Sequence, residues 1–122
     1  MFAKILVVDD SLLMRQLLDN ILAAEGYIVF LATNGQEAIE VAMTRSPQVI
    51  VMDINMPVMS GLEACTRLKA IKATRSIPVI LMTGLGKYKI EAVEAGADGF
   101  MTKPFDLNDV IKTVNALIRL RL

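Results

Sequence analysis

The 122-residue chain has the length of a single domain that can bury an ordinary core. Its 13 basic and 13 acidic residues cancel to a formal net charge of +0, so charge favours neither nucleic acid nor an anionic membrane as a partner. Hydrophobic residues make up 54% of the chain, but no apolar run approaches the roughly 20 residues of a membrane span, and the start lacks a secretion signal. These features predict a cytoplasmic protein.

The residue types that are rare or missing restrict the chemistry. The chain has no histidine, which excludes histidine-based catalysis and histidine metal ligation. A single cysteine, Cys65, excludes an internal disulfide and any multi-cysteine metal site. Cys65 lies among apolar residues of a predicted helix, which favours a small buried side chain over a reactive thiol.

Short apolar runs alternate with amphipathic segments, and no repeat, low-complexity stretch or linker interrupts them. The runs predict five strands: Ile5–Val8, Ile28–Ala32, Val49–Met52, Val79–Met82 and Gly99–Thr102. Three of the runs are almost continuously apolar, as expected for strands that helices cover on both faces.

The first two helices are predicted from spacing and end signals. The first has Asp10 as a possible cap, ends at Gly26, and carries apolar residues at helical spacing: Leu13, Leu17, Leu18, Ile21 and Leu22. The second begins where Asn34 and Glu37 can form a capping box, and it ends before Pro47.

Three more helices follow. The third has a second possible capping box, Ser60 with Glu63, followed by one apolar face: Leu62, Cys65, Leu68 and Ile71. The fourth, around residues 87–95, is short and weakly amphipathic, and Gly96 closes it. The fifth is capped by Asp106 and carries the clearest buried stripe: Leu107, Val110, Ile111, Val114, Leu117 and Ile118.

Five strand–helix units predict an α/β fold with a doubly wound parallel sheet, because each crossover helix packs back on the sheet with a right-handed connection. In such sheets ligands bind beyond the carboxyl ends of the strands, near the point where the strand order reverses. The residues that follow the strands are therefore the candidates for a functional site.

Polar or charged residues follow four of the predicted strands: Asp9 and Asp10, then Asp53, then Thr83, then Lys103. Each has an ordinary explanation as a helix cap, a turn residue or a surface charge. Their joint placement at one edge of the sheet favours a common site instead.

The chemistry of that edge points to phosphoryl transfer. Three converging carboxylates repel one another and raise their own pKa values unless a cation compensates them. Lys103 supplies one positive charge, and Mg²⁺ suits the remaining set of oxygen ligands. A carboxylate can attack phosphorus to form an aspartyl phosphate, while the metal, Lys103 and the Thr83 hydroxyl stabilise the transferring group.

These motifs resemble the receiver domain of two-component response regulators, in particular the stand-alone chemotaxis type. The matching pieces are Val7-Val8-Asp9-Asp10-Ser11, Met52-Asp53-Ile54-Asn55-Met56-Pro57, Ser60-Gly61-Leu62-Glu63, Thr83-Gly84, Gly96-Ala97-Asp98-Gly99-Phe100 and Lys103-Pro104-Phe105. The resemblance covers residues 1–122 as one receiver domain. It implies a flavodoxin-like (βα)5 three-layer sandwich with strand order 2-1-3-4-5.

The resemblance also implies a role for each site residue. Asp53 is the implied phospho-acceptor, and the implied Mg²⁺ ligands are the Asp10 and Asp53 side chains and the Asn55 backbone carbonyl, with Asp9 acting through a water. Thr83 and Lys103 are implied to contact the phosphoryl group. The Lys103–Pro104 peptide is expected to be cis, and Phe100 is expected to be a switch aromatic that moves with Thr83.

The implied partners follow from the missing histidine. A phosphohistidine donor must belong to a sensor histidine kinase or a phosphotransfer protein. A downstream protein is expected to bind at the face of the fourth helix, fifth strand and fifth helix. The domain itself is expected to be a monomer or a weak dimer. No enzyme activity is expected beyond self-catalysed phosphoryl acceptance and hydrolysis. Leu85, two residues beyond Thr83, is apolar and leaves the lifetime of the phosphate open.

Other functions stay open on the sequence alone. The chain could be the N-terminal receiver of a larger regulator with a DNA-binding or enzymatic output domain, or a docking module that has lost its chemistry. A flavin-binding protein of the same fold is disfavoured because Asp9 and Asp10 would repel the flavin phosphate. A phosphatase acting on small molecules is also disfavoured, because the sequence shows no recognisable cap domain. The segment between Thr83 and Lys103 is also slightly shorter than in the chemotaxis prototype, which leaves the bounds of the fourth helix open.

Overall fold

The computed structural model describes residues 2–84 and 86–120. Its strands are β1 (Lys4–Val8), β2 (Ile28–Ala32), β3 (Val49–Asp53), β4 (Val79–Thr83) and β5 (Gly99–Thr102). Its helices are α1 (Leu12–Ala24), α2 (Gly35–Arg45), α3 (Gly61–Ala70), α4 (Lys89–Glu94) and α5 (Leu107–Arg119), with a 3-10 turn at Gly86–Tyr88 before α4. Within the described residues, no helix combines the length and the apolar character needed to cross a bilayer.

All five strands are parallel and lie in the order β2-β1-β3-β4-β5, which confirms the predicted topology. The order reverses beside β1, because the chain first moves outward to β2 and then crosses back to β3. The carboxyl ends of β1 and β3 therefore meet at the crevice where ligands bind in folds of this kind.

Alternate residues of the central strands point to opposite faces of the sheet, and each face has its own core. On β3, Ile50 and Met52 pack with the buried residues of α2 and α3, while Val49 and Val51 pack with those of α1 and α5. Every residue of β3 and β4 is buried, as the continuous apolar runs predict. The layers are thus helices, sheet and helices.

Two polar residues lie inside the strands that they were expected to follow. Asp53 is the last residue of β3 and pairs in register with Met82, and Thr83 is the last residue of β4 and pairs with Thr102. The strands run one residue further than the apolar pattern because the backbone ladder continues past the last apolar side chain. Both functional side chains are consequently held by strand backbone.

The helix caps differ from the predictions at two helices, α1 and α3. Ser11, and not Asp10, caps α1: its side chain accepts from the Met14 N–H, and Asp10 is exposed. At α2, Asn34 Oδ1 accepts from the Glu37 N–H at 2.9 Å. The Glu37 carboxylate accepts in turn from the N–H of Thr33, the residue before the cap, at 3.0 Å.

The Ser60 cap of α3 is one-sided. Ser60 Oγ accepts from the Glu63 N–H at 3.2 Å. The Glu63 carboxylate forms an ion pair with Arg67 at 3.0 Å, one helical turn further on, so it does not complete a capping box.

Two helices differ in detail from the sequence prediction. In α1, Leu18 and Leu22 are fully buried, whereas Leu13 is 77% exposed and does not contribute to the core. The fourth helix is a 3-10 turn followed by only six α-helical residues, and it ends before Gly96, whose φ of +91° is a left-handed geometry that glycine adopts readily. Leu85, whose apolar side chain left the lifetime of the phosphate open, lies outside the described residues.

Candidate functional site

The first carboxylate of the site, Asp9, directly follows β1 and is only 1% exposed. Its Oδ1 accepts from the Ser11 N–H at 2.9 Å, and its Oδ2 accepts from Lys103 Nζ at 3.1 Å. Both oxygens therefore already have protein donors.

Arg15 supports the backbone of the same loop. One of its terminal guanidinium nitrogens donates to the Asp9 backbone carbonyl at 2.7 Å, from the second turn of α1. This bond ties the start of α1 to the end of β1, so the loop that presents Asp9 and Asp10 has a fixed path. Arg15 therefore positions the acidic loop through its backbone and makes no ion pair with its carboxylates.

The three aspartates predicted from the sequence come together. One carboxylate oxygen from each of Asp9, Asp10 and Asp53 lies within 4.8 Å of the others. Asp9 and Asp53 are buried and Asp10 is exposed, so the cluster is open to solvent on the Asp10 side. Within residues 2–84 and 86–120, the Asp10 side chain has no hydrogen bond or ion pair and is available for a ligand.

Lys103 reaches this cluster from the loop after β5. Its ammonium lies 3.1 Å from Asp9 Oδ2 and 3.5 Å from Asp53 Oδ1, and its side chain is 23% exposed. The Lys103–Pro104 peptide is cis. The Lys103 N–H donates to the Thr83 carbonyl at 2.7 Å, which fixes the lysine beside β4. These contacts do not fit the alternative explanation of Lys103 as an ordinary surface charge.

The site is short of positive charge. Burial raises the pKa of Asp53 above its usual value of 3.8, and the neighbouring Asp9 and Asp10 carboxylates raise it further, while Lys103 opposes both effects. Three carboxylates face one ammonium, which leaves a deficit that a single divalent cation would cancel.

The donor set fits Mg²⁺. All three side chains offer oxygen, which a hard cation prefers, and the sequence contains no histidine. The only cysteine, Cys65, lies within the helix–sheet core, where burial raises the pKa of its thiol to about 11 and its Sγ contacts the Ala95 carbonyl. A thiolate ligand is therefore not part of this site.

Thr83 stands beside the acidic cluster on the neighbouring strand. It is fully buried, and its Oγ1 accepts a hydrogen bond from Asn55 Nδ2 at 3.2 Å. Asn55 follows Asp53 by two residues, so the end of β3 supplies a carboxylate of the cluster and the loop after β3 supplies the partner of a β4 hydroxyl. Phe100 lies on β5 in register with Leu81, is half-buried, and packs against the core on the α2–α3 face.

The loop from Asn55 to Ser60 is held at both of its ends. The Ile54 N–H donates to the Met82 carbonyl at 2.8 Å, and the Gly61 N–H donates to the Ile54 carbonyl at 2.9 Å. A Cβ on Gly61 would lie 2.3 Å from the Asp53 carbonyl oxygen, so only glycine allows α3 to begin so close to β3. Across the loop, the Gly35 N–H donates to the Met59 carbonyl at 3.1 Å.

A parallel (βα)5 sandwich with an acidic cluster, a hydroxyl and a lysine at its carboxyl edge defines a class of phosphorylation-dependent signalling domains. The sequence profile of the response regulator receiver domain matches residues 5–115. The chain belongs to this family and is a receiver domain of two-component response regulators.

Two curated relatives show the range of proteins that contain similar domains. The protein-glutamate methylesterase/protein-glutamine glutaminase of Methanococcoides burtonii is 46% identical over 121 residues, which cover 94% of this chain and 34% of that protein. The transcriptional regulatory protein SrrA of Staphylococcus aureus is 38% identical over 118 residues, which cover 95% of this chain and 48% of that protein. The chain thus spans about a third to a half of the length of these relatives.

Solved structures show the same fold. The chemotaxis response regulator CheY4 of Vibrio cholerae superimposes with a TM-score of 0.89 at 34% identity, covering 96% of this chain and 99% of that one. The receiver domain of the sensor histidine kinase PA1611 of Pseudomonas aeruginosa, solved with magnesium in its active site cleft, gives a TM-score of 0.89 at 26% identity, covering 97% of this chain and 98% of that one.

Sequence reasoning missed three contributions to the site. Ser11 caps α1, Arg15 holds the Asp9 carbonyl, and the Asn55 side chain contacts Thr83. Ser11 carried a usable signal, since serine directly before a helical pattern is a preferred cap. The other two contacts depend on how the loops fold back, which no spacing rule in the sequence encodes.

Proposed function

We propose that Asp53 accepts a phosphoryl group from a phosphohistidine on a sensor histidine kinase or a phosphotransfer protein. The observation that carries this proposal is the convergence of Asp9, Asp10 and Asp53 within 4.8 Å, with the Lys103 ammonium in contact with two of them. Asp53 is the last residue of β3, which is the central strand of the sheet and is buried along its whole length.

The proposed step is a simple displacement at phosphorus. An Asp53 carboxylate oxygen forms the new O–P bond as the P–N bond of the donor breaks, and the electron pair of that bond returns to the imidazole. Water later attacks the aspartyl phosphate, releasing inorganic phosphate and restoring the carboxylate. Lys103 neutralises charge on the transferring oxygens, and the Thr83 hydroxyl donates a hydrogen bond to one of them.

Asp10, Asp53 and the Asn55 backbone carbonyl would hold Mg²⁺, with Asp9 acting through a water. Bound there, the ion would supply positive charge to the phosphoryl oxygens. The charge deficit around Asp53 and the all-oxygen donor set support this assignment. Further support comes from the PA1611 receiver domain, which was solved with magnesium in its cleft, and from the beryllofluoride-activated DrrB receiver domain, 28% identical to this chain.

The only covalent change in this domain would then be the phosphorylation and dephosphorylation of Asp53. We take residues 1–122 as one receiver domain, located in the cytoplasm, that turns over no external substrate and binds neither nucleic acid nor membrane directly. Added phosphate esters should therefore not be hydrolysed catalytically, apart from small phosphodonors that load Asp53 itself.

The direct test is phosphorylation with acetyl phosphate and magnesium, followed by intact-protein mass spectrometry. Wild-type protein should gain one phosphoryl group, and chelation of magnesium should prevent the gain. Asp53→Asn should abolish the gain. Asp19→Asn, which removes a carboxylate on α1 that is not part of the acidic cluster, should not abolish it. Full labelling of the Asp53→Asn variant would overturn the assignment.

For the output, we propose that phosphate on Asp53 draws Thr83 inward and that Phe100 rotates into the space left behind, remodelling the α4-β5-α5 face. Phe100 is only half-buried, and it borders a shallow groove of about 180 Å³ whose other walls include Lys89, Ala92 and Val93 of α4. One side of the ring is therefore not enclosed by the core.

Phe100→Ala tests the output step separately from the chemistry. The variant should take up phosphate like the wild type, but it should lose most of the phosphate-dependent gain in affinity for the downstream partner. A shift from a mostly inactive to a mostly active population requires roughly 5 kcal/mol of differential stabilisation. A few charge-assisted hydrogen bonds to the phosphoryl group, at about 1.5–3 kcal/mol each, supply it. Undiminished phosphate-dependent binding by Phe100→Ala would overturn this part.

A second candidate is that the domain acts as the receiver of a longer regulator. The supporting observation is that the domain covers only 34% of the length of one curated relative and 48% of the length of another. An immunoblot of the endogenous protein distinguishes the two, since a longer regulator would migrate well above the 13.4 kDa of this chain.

A further inference from the structure

The edge strand β2 exposes apolar side chains on both faces of the sheet. Ile28 is 43% exposed and Leu31 is 40% exposed, and their spacing of three residues directs them to opposite faces. On β5, the other edge strand, the exposed residue is Thr102, which is polar. Edge strands are commonly protected from pairing by charges, prolines or bulges. Residues 27–32 contain no charged residue and no proline, and β2 pairs with β1 in regular register without a bulge.

The outer backbone groups of β2 are available to another strand. The Ile28 N–H donates to the Ala3 carbonyl at 2.9 Å, so Ile28 points its backbone groups towards β1. Successive residues of a strand point theirs to alternate sides, so Val29 and Leu31 direct their N–H and carbonyl groups away from β1. In the described part of the chain no strand lies on that side. A β-strand is the partner that such a row of groups fits.

These groups are complementary to a second copy of themselves. In antiparallel pairing about a two-fold axis at Phe30, Val29 of each copy lies opposite Leu31 of the other, and each such pair exchanges two hydrogen bonds. The two copies contribute four groups each, and the four resulting hydrogen bonds use all eight. The contact is closed, because it consumes the β2 edge of both copies.

One end of α2 places a positive charge at the start of β2. The Arg45 carbonyl accepts from Lys4 Nζ at 3.4 Å, and Lys4 is in register with Ile28, the first residue of β2. The Arg45 guanidinium lies 5.3 Å from the centre of the Phe30 ring, so the side chain reaches along the edge strand. Arg45 is exposed and forms no ion pair with any described residue. Its charge is therefore available to a neighbouring molecule.

The other end of α2 places a negative charge at the end of β2. The carboxylate of Glu37, in the first turn of α2, accepts from the N–H of Thr33, which directly follows β2. An antiparallel pair of β2 strands therefore brings Glu37 of each copy to the same end as Arg45 of the other. A parallel pair would bring like charges together, which is unfavourable. The charges thus favour a second copy in the orientation that satisfies the backbone.

We propose that β2 is a self-association edge, at which two copies of the chain pair in antiparallel orientation and form one continuous sheet. The paired strands are only five residues long, about 17 Å, so we expect a total buried area below about 1,200 Å², which is typical of weak and transient contacts. The dimer should therefore form only at high protein concentration. This inference goes beyond the proposed function and does not depend on phosphorylation of Asp53.

Sedimentation equilibrium from micromolar to millimolar protein, without magnesium, measures the association. The weight-average mass should rise above 13.4 kDa and approach twice that value. Over the same range, the amide-proton NMR signals of Val29 and Leu31 should move in the direction of stronger hydrogen bonding. Isotope-filtered spectra of mixed labelled and unlabelled protein should show contacts between Val29 of one copy and Leu31 of the other.

Two edge variants and one matched control locate the contact. Leu31→Lys puts a charge on the edge of both copies at once and should weaken the association by at least about tenfold. Ile28→Lys repeats the test on the opposite face of the strand, and both side chains are exposed enough for the fold to persist. Leu13→Lys makes the same change at a leucine of α1 that is 77% exposed, and it should leave the association unchanged.

Two results would overturn the proposal. A chain that stays at 13.4 kDa at millimolar concentration does not associate through β2, and the edge is then left to an extended segment of another protein. Association that neither edge variant weakens, or that moves the signals of Ile90 and Val93 on α4 instead of those of β2, places the contact on another face. Either result leaves the phosphorylation of Asp53 untouched, because mass spectrometry tests that step separately.

Discussion

The centre of the sheet and its β5 flank are built differently. All residues of β3 and β4 are buried, and long helices cover both faces. On β5 no residue is fully buried, α4 has only six residues, and its Ile90 and Val93 are 70% and 66% exposed. The acidic cluster is anchored in the first region and the proposed output face lies in the second.

This difference suggests how one small domain combines fixed chemistry with a movable surface. Carboxylates must be held firmly to bind a metal and a phosphoryl group, and close packing around β1 and β3 provides that rigidity. A helix of six residues is too short to be stable by itself, and little apolar surface ties it to the sheet. Segments with few buried contacts open at low free energy, so the flank can rearrange while the site keeps its geometry.

The largest effect should come from a core truncation on the rigid side. Ile50→Ala should lower the free energy of unfolding by about 4 kcal/mol, because Ile50 is fully buried in β3 and its removal leaves a cavity. Ile90→Ala on α4, where the side chain is mostly exposed, should change it by less than about 0.5 kcal/mol. Urea unfolding of both variants measures the contrast, and equal losses would contradict the division into two regions.

A second prediction concerns the close approach of α3 to β3. Gly61→Ala should cost about 3 kcal/mol, because its Cβ would lie 2.3 Å from the Asp53 carbonyl oxygen and the backbone on either side is hydrogen-bonded. Gly84→Ala is the matched control, since among the described residues no atom beyond its chain neighbours lies within 4 Å of a Cβ placed on Gly84. If Gly61→Ala unfolds at the wild-type urea concentration, the start of α3 is softer than the structure indicates.

The sequence indicated the rigid region better than the flank. Continuous apolar runs predicted β1, β3 and β4, and the polar residues after them predicted which side chains meet at the site, because strand ends of a parallel sheet share one edge. The fourth helix was placed only approximately, since six weakly amphipathic residues leave little periodicity to read.

The buried face of α1 and two side-chain contacts at the site were not predicted from the sequence, for different physical reasons. Leu13 and Leu18 both lie on an apolar stripe of α1, and spacing alone does not tell which stripe faces the sheet. The Arg15 and Asn55 contacts depend on the three-dimensional course of loops. Pairwise hydrogen bonds of this kind follow from the fold and carry no periodic signal, so they become visible only when the loop geometry is known.

The smallest predicted effect tests whether the rigid site stores electrostatic strain. Burial and the neighbouring carboxylates raise the pKa of Asp53, so ionised Asp53 destabilises the folded state. Without magnesium at neutral pH, Asp53→Asn should therefore unfold at higher urea, with a gain on the order of 1 kcal/mol. The pKa of Asp53 is higher in the folded than in the unfolded state, so protonation of Asp53 stabilises the fold. This contribution to the free energy of unfolding is fully present below the usual pKa of 3.8 and is lost as the pH rises through the folded-state pKa.

The wild type and Asp53→Asn should consequently converge in stability as the pH falls towards 3.8. Magnesium should stabilise the wild type more than Asp53→Asn, since a ligand that binds only the folded state raises its stability by mass action. Asp19→Asn controls for the loss of one negative charge and should stay within about 0.5 kcal/mol of the wild type. If Asp53→Asn is instead less stable than the wild type at neutral pH, the attraction of Lys103 outweighs burial and carboxylate repulsion, and the rigid side of the molecule carries no strain at its phosphoryl site.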